Sequence, residues 1–312
     1  MIPPEQCIGR TSAFKRFSGY KGEAKKEQRQ MIITARPIVD RLMEACREMD
    51  DSKVMGLLES ARAGDRRLMD EERDPFWDVL VARDMVALDK IKGMRYSPED
   101  VAMFSVALGA HEHDSQFESK ASPMLTALIM HGESDTYRIH TRHLSKQIHE
   151  IGYLNTKKIE INGNGGGTIG RRMASGSIMI DGDVGVYPGT GMRGGEIIVK
   201  GDAGQHVGQN MRGGRIVIMG NAGKAPGFRM SGGTIVIGKD SGKATGSGMS
   251  GGGIMIKGDA GYRLGVSMKE GTILLLGSCA EEAGAEMKGG MLIIRGDAGP
   301  GLGDYMYGGE IH

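Results

Sequence analysis

The chain has 312 residues, 39% of them hydrophobic and 25% charged, with a formal net charge of +1. Charge this close to balance sets up no field that would gather nucleic acid or an anionic membrane surface. No apolar run approaches the roughly 18 residues of a bilayer-spanning helix. The start lacks the apolar core of a secretory signal, and Cys7, Cys46 and Cys279 are too scattered for a disulfide framework or a metal knuckle, so a reducing, cytoplasmic setting is expected.

Residues 1–150 read as an α-helical domain, opening with an arm of little pattern over about 1–25. The spacing of Ile38, Leu42, Cys46 and Met49 predicts a helix across Met31 to Met49, entered through Pro37. A short helix follows from Val54 to Ala63, stopped by Gly64. Another spans Pro75 to Ile91, with Phe76, Val79, Leu80, Val86 and Leu88 apolar and Gly93 closing it. Ser97-Pro98-Glu99-Asp100 has the form of a capping box and opens a helix through Leu108. Ser122-Pro123 opens one to Met130, and Ser134 to Ile151 reads as the last.

Two histidine groups in this half invite a metal. His111-Glu112-His113-Asp114 forms one cluster, and His140, His143 and His149 recur on the last predicted helix, where 140 and 143 share a face. Neither has a HExxH motif or a nearby cysteine, so a polar loop and a solvated helix face are the preferred readings. The lone Trp77 reads as core or interface. No Ser/His/Asp or Cys/His set stands out, and no catalytic, cofactor-binding or metal-binding residue is assigned.

Only eight of the 52 glycines fall in residues 1–150, so the rest of the chain is built differently. Methionines stand at 173, 192, 211, 230, 249, 268, 287 and 306, each 19 after the last. Three residues after each comes a glycine, from Gly176 to Gly309, and five after comes Ile or Leu, from Ile178 to Ile311. Sixteen after comes another glycine, from Gly189 to Gly303. A weaker copy, Leu154 with Ile159, Ile161, Gly163 and Gly170, precedes them in the same phase, where a solenoid places its cap. Nineteen residues are too few for a strand, a crossover helix and two loops. They suit one coil of short strands joined by glycine bends, stacked in parallel at about 4.8 Å. The fold class is therefore mainly β: a right-handed parallel β-helix over 151–312, preceded by the helical domain.

Alternation assigns sides to these files. With the Ile178 and Ile180 files inward, the file between them faces out: Met179, Ile198, Val217, Val236, Met255, Leu274 and Ile293, without a polar member. A strand apolar on both faces is expected to be covered on both, so this stripe is the predicted interface, whether with the N-terminal half, a partner chain or another copy. The methionine file reads as an internal stack rather than a soft-metal ladder, because no His or Cys file accompanies it. The Asn164, Asp183, Asp202, Asn221, Asp240, Asp259 and Asp297 file reads as side chains bonding backbone amides at a repeated corner, with a calcium ladder as the rival. Gly-Asp-Ala-Gly runs such as 201–204 look like phosphate loops, but they recur along the repeat and no helix follows them.

From Gly182 to Gly299 the G-D-A-G and M-x-G-G signatures at near-constant period resemble the glycine-repeat subunit of formylmethanofuran dehydrogenase and the corresponding subunit of the bacterial formyltransferase/hydrolase complex. Both are grouped with the GXGXG domain of the glutamate synthase large subunit, and the resemblance covers about 154–312. It implies a right-handed β-helix that scaffolds a metallopterin subunit and an amidohydrolase-like subunit in one-carbon metabolism of the methanogenesis type. The tungsten or molybdenum pterin and iron–sulfur clusters are then expected in those partners, and none in this chain. One alternative is a glutamate-synthase-like subunit between an amidotransferase and a flavin enzyme. Another is a stand-alone metal enzyme using His111, His113 or the His140/His143 face. Residues 1–150 have no recognised counterpart in the family. The sequence reaches His312 part-way into a ninth turn, and a partner or further residues are expected to cover the open strand edges.

Overall fold

The structure is a computed structural model that describes residues 37–49, 52–53, 83 and 85–312. The expected arm, the whole of the second helix (Val54 to Ala63), and Phe76, Trp77, Val79 and Leu80 lie outside the described residues. The chain divides into two compact units, Met1–Lys146 and Gln147–His312.

In the first unit, residues 37–47 form helix α1, burying Leu42 and Cys46, with Met49 buried just beyond. Helix α2, residues 85–91, buries Val86 and Ile91 and ends at Gly93, whose φ of +78° is the left-handed conformation a helix stop requires. Helix α3 (Pro98–Ala107) starts where the capping box predicts. The Asp100 N–H donates to Ser97 Oγ at 3.2 Å and the Ser97 N–H donates to Asp100 Oδ2 at 2.8 Å, satisfying two amides that helix geometry leaves open.

Two expectations here are corrected. Ser122-Pro123 does not open a helix: α4 runs from Phe117 to His131 with Pro123 inside it. A proline in a helix interior costs about 3 kcal/mol. The buried face of α4, including Phe117, Met124, Leu125 and Leu128, outweighs that, since each large apolar side chain fully buried contributes about 1.5–3 kcal/mol. Nor is Ser134 to Ile151 a helix. Thr136–His140 is a strand, β1, with Tyr137 and Ile139 buried between exposed neighbours, and the residues after it run in turns. The alternation Thr-Tyr-Arg-Ile-His is period two, with β-branched and aromatic residues, and it overrides the helical spacing of the later histidines.

The second unit is a parallel β-solenoid of about nine turns. Its strands are β2 (Lys158–Asn162), β3 (Ser177–Ile180), β4 (Glu196–Val199), β5 (Arg215–Ile218), β6 (Thr234–Ile237), β7 (Ser250–Ile256), β8 (Glu270–Leu275), β9 (Lys288–Ile294) and β10 (Gly308–Ile311). Each pairs in parallel with the next, and β2 to β7 keep a register of 19: Ile159↔Ile178, Ile178↔Ile197, Ile197↔Ile216, Ile216↔Ile235, Ile235↔Ile254. A second ladder of single bridges links Val184, Ala203, Ala222, Ser241, Ala260, Cys279 and Ala298 at another corner.

Equivalent side chains do form vertical files. The Ile178 and Ile180 files point inward and are sealed from solvent from β3 through β8. The seven methionines from Met173 to Met287 are each 0% exposed, which makes their file an internal stack of flexible side chains. The Asp/Asn file bonds backbone amides, as its spacing predicts: Asp183 Oδ1 accepts from the Asp202 N–H (2.8 Å), Asp202 Oδ1 from Asn221 (2.7 Å) and Asp240 Oδ1 from Asp259 (2.9 Å). Ser278 extends the ladder between Asp259 and Asp297.

Leu154, however, is not in the methionine file. The Asn155 N–H donates to the Gly152 carbonyl at 3.1 Å, as the Met173 N–H does to Gly170, so Asn155 occupies the file and the first step is 18 residues. Asn155 is 1% exposed, and its side chain closes on the backbone, donating from Nδ2 to the Lys157 carbonyl and accepting from the Lys157 N–H.

Candidate interaction face

The outer face of the strand ladder is assembled by register alone. Met179, Ile198, Val217, Val236, Met255, Leu274 and Ile293 are successive Cα partners across β3 to β9, and each keeps partial exposure. The structure therefore brings all seven predicted stripe residues into one line. It also divides the face lengthwise. At the first coils the line is bordered by ion pairs, Lys200–Asp181 at 2.5 Å and Arg215–Glu196 at 3.5 Å, while Glu160 takes the stripe position on β2. Such exposed pairs contribute about 0–1 kcal/mol each and keep the border wet. Further along, Met219 (50% exposed), Leu276 (46%) and Met291 widen the apolar surface. Sequence reading missed Met219 and Leu276, because their file also holds Asp181, Lys200 and Lys257 and so lacks the uniform apolar signal.

Five files behind this face are free of carboxylates, amines, guanidinium groups and imidazoles, while Arg171, 8% exposed, is a buried charge of this unit. The files of Ile178, Ile180, Met173, Val184 and Ile169 contain no Asp, Glu, Lys, Arg or His. Cys279 is buried among them, and burial raises its thiol pKa, with the Gly299 N–H pulling the other way.

The histidines of the first unit do not converge. His111 lines a cleft with Met43, Cys46, Arg47, Leu108, Asp114, Phe117, Lys120 and Ala121. Burial, then the Arg47 charge, hold the His111 imidazole below its usual range. Burial pushes the Cys46 thiol up to about 12, so it stays protonated at neutral pH and is no ready nucleophile. Glu112 accepts from the Ser145 N–H at 3.0 Å and from the Ser145 hydroxyl, while His113 is exposed. His140 ends β1, His143 lies in the following turn, and His149 belongs to the second unit, where its Nδ1 accepts from the Gly167 N–H at 2.7 Å. The expected shared helix face therefore does not exist. Among the described residues, no group of three or more His, Cys, Asp or Glu side chains is placed to hold a metal ion. No helix among them is long and apolar enough to cross a membrane.

Fold and face together define a stacked β-solenoid that presents a ruled apolar surface. No protein-family model matches the chain, and no curated protein matches it. Among solved structures it is similar to a chain of the formyltransferase/hydrolase complex (FhcABCD) from Methylorubrum extorquens, solved in complex with methylofuran. The identity is 28% and the TM-score 0.40, over 54% of this chain and 58% of that one.

Proposed function

We propose that this chain is a non-catalytic scaffold subunit of a cytoplasmic oxidoreductase complex of the formylmethanofuran dehydrogenase type. The carrying observation is the outer face, seven apolar side chains in register and still partly open to solvent. An apolar stripe of this length is a binding surface, and inward files without carboxylates or imidazoles suit a structural rod better than a catalytic pocket. The G-D-A-G and M-x-G-G signatures between Gly182 and Gly299 give the reading its family. In that complex the tungsten or molybdenum pterin and the iron–sulfur clusters belong to partner subunits, and this chain holds them in place.

The test is purification of the tagged full-length chain from its native cell. The reading expects a metallopterin oxidoreductase and an amidohydrolase-like protein to elute with it, together with tungsten or molybdenum. The double substitution Met255→Asp/Leu274→Asp should release both partners without lowering the melting temperature by more than a few degrees. A chain that elutes alone contradicts the proposal, and co-elution of flavin and glutaminase activity replaces it with the glutamate-synthase reading.

A further inference from the structure

The outer face of the strand ladder is complementary to itself when one copy is turned end for end. Three outward files run along it, each carried from coil to coil by the strand register. The central file has Glu160 at one end, continues as the apolar stripe from Met179 to Ile293, and reaches His312. One flanking file runs from Lys158 to Glu310. The other holds its charges between Asp181 and Arg295. These three spans share one midpoint coil, at Val236, Thr234 and Gly238.

A two-fold axis lying in the face along β6 reverses the order of the coils and sets each file against itself. Lys158 of one copy then opposes Glu310 of the other, Glu160 opposes the His312 imidazole, and Asp181 opposes Arg295. The ends carry bonded pairs of opposite order: donor then acceptor at Lys158–Glu160 (2.9 Å), acceptor then donor at Glu310–His312 (3.1 Å). The stripe lies along itself, with Met179 against Ile293 and Val236 against Val236. Of the other charged side chains on the three files, Lys200 faces Leu276, Lys257 faces Met219, Glu196 faces Thr272 and Arg215 faces Gly253, so no like charges meet. The alternative two-fold, along the solenoid axis, sets each coil against its equivalent. It gains a Glu196–Lys200 contact but puts Glu160 against Glu160 and leaves Arg295 facing Met291, so charge favours the antiparallel arrangement. From β2 to β10 the face is eight coil steps long, about 38 Å, and its three files are about 16 Å across. That gives about 600 Å² on each copy and about 1,200 Å² for the pair, the lower end of what a stable specific interface buries.

We propose that a second copy of this chain covers the strand face, antiparallel to the first about a two-fold axis at Val236. The proposal rests on the scaffold reading for its choice of face, and it adds that the metallopterin and amidohydrolase-like partners grip the paired solenoids. The test is the mass of the full-length chain purified alone, measured by light scattering over a dilution series. The concentrated chain should run at twice 33.4 kDa. Val236→Asp sets two carboxylates against each other on the axis, and should give the single-chain mass at the same concentration with the parent's circular dichroism. Cross-linking tests the arrangement without relying on that variant. It uses a Cys7→Ser background, in which Cys46 and Cys279 are buried, and a bismaleimide spanning about 10 Å, the spacing of sheets packed face to face. After mixing in dilute solution and reconcentration, Met179→Cys chains should be joined to Ile293→Cys chains and neither to its own kind. A single-chain mass at every concentration, a Val236→Asp protein that stays dimeric, or Met179→Cys chains joined to one another would overturn the proposal. A chain that is monomeric alone but recovers metallopterin partners sinks this inference and leaves the scaffold reading; a dimer that recovers none does the reverse.

Discussion

At the residue scale, four left-handed positions turn each coil, and they divide by what a side chain would meet. Outward ones accept ordinary residues: Tyr187 (φ 62°), His206 (φ 61°), Asn210 (φ 53°) and Arg229 (φ 52°) hold positive φ. Their amides are tied to the next coil, as in the donation from Asn210 N–H to the Phe228 carbonyl at 2.9 Å, and these bonds offset a strain of about 1–2 kcal/mol. Inward ones are glycine because a Cβ has no room. On Gly208 (φ +62°) it would stand 2.6 Å from Ile235 Cδ1, and on Gly214 (φ +86°) 2.7 Å from Met192 Cε. Gly208→Ala should therefore cost about 2–4 kcal/mol, combining strain with overpacking. Gly248→Ala, where a Cβ would find Arg229 Cγ at 3.6 Å, should cost about 1 kcal/mol. Denaturant midpoints of the two variants check the contrast. The cysteines supply a second check. With Cys46 and Cys279 both buried and their thiol pKa values raised, a Cys7→Ser protein should show no fast-reacting thiol at pH 8 and two after unfolding.

At the scale of elements, the solenoid strands were legible because β2 to β8 each bury their two inward residues on a fixed period, and a file of eight identical residues outvotes any local propensity. The capping box of α3 was legible for a different reason, since its two hydrogen bonds are local and need no tertiary help. Helix α4 and strand β1 were misread where tertiary burial overrules a local signal: a buried helix face absorbs Pro123, and two buried side chains, Tyr137 and Ile139, select a strand. The first coil was misread by one residue because Leu154 is chemically like methionine, whereas Asn155 fits the place by hydrogen bonding. Three elements carry histidines whose pKa is lowered mainly by burial: His111 closing the short helix Leu108–His111, His140 at the end of β1, and His206 at the corner beside Lys224. Each binds its proton more weakly folded than unfolded, so stability is full above the unfolded value of 6.5 and declines as pH falls from there through the lowered folded values. The melting temperature should drop between pH 7.5 and 5, and His206→Gln should flatten part of that drop; a melting temperature that rises on acidification contradicts the assignment.

At the scale of the whole molecule, the sequence supplied the repeat, its sidedness and the outward stripe, while the functional reading rests on surfaces and not on a reactive centre. Such surfaces speak only through what binds them, which is why partners and substrate were not legible. The geometry beneath both proposals is a coil of 19 residues stacked directly on its neighbours. Excision of residues 212–230 joins Met211 to Ser231 and removes one full coil, leaving every file in phase. Excision of 212–221, about half a coil, throws every later file out of phase. Thermal unfolding of the two deletion proteins, followed by circular dichroism, is the most direct test. The account predicts a cooperative transition near the parent's for the full-coil deletion and its loss for the half-coil deletion; two proteins that melt alike would contradict it.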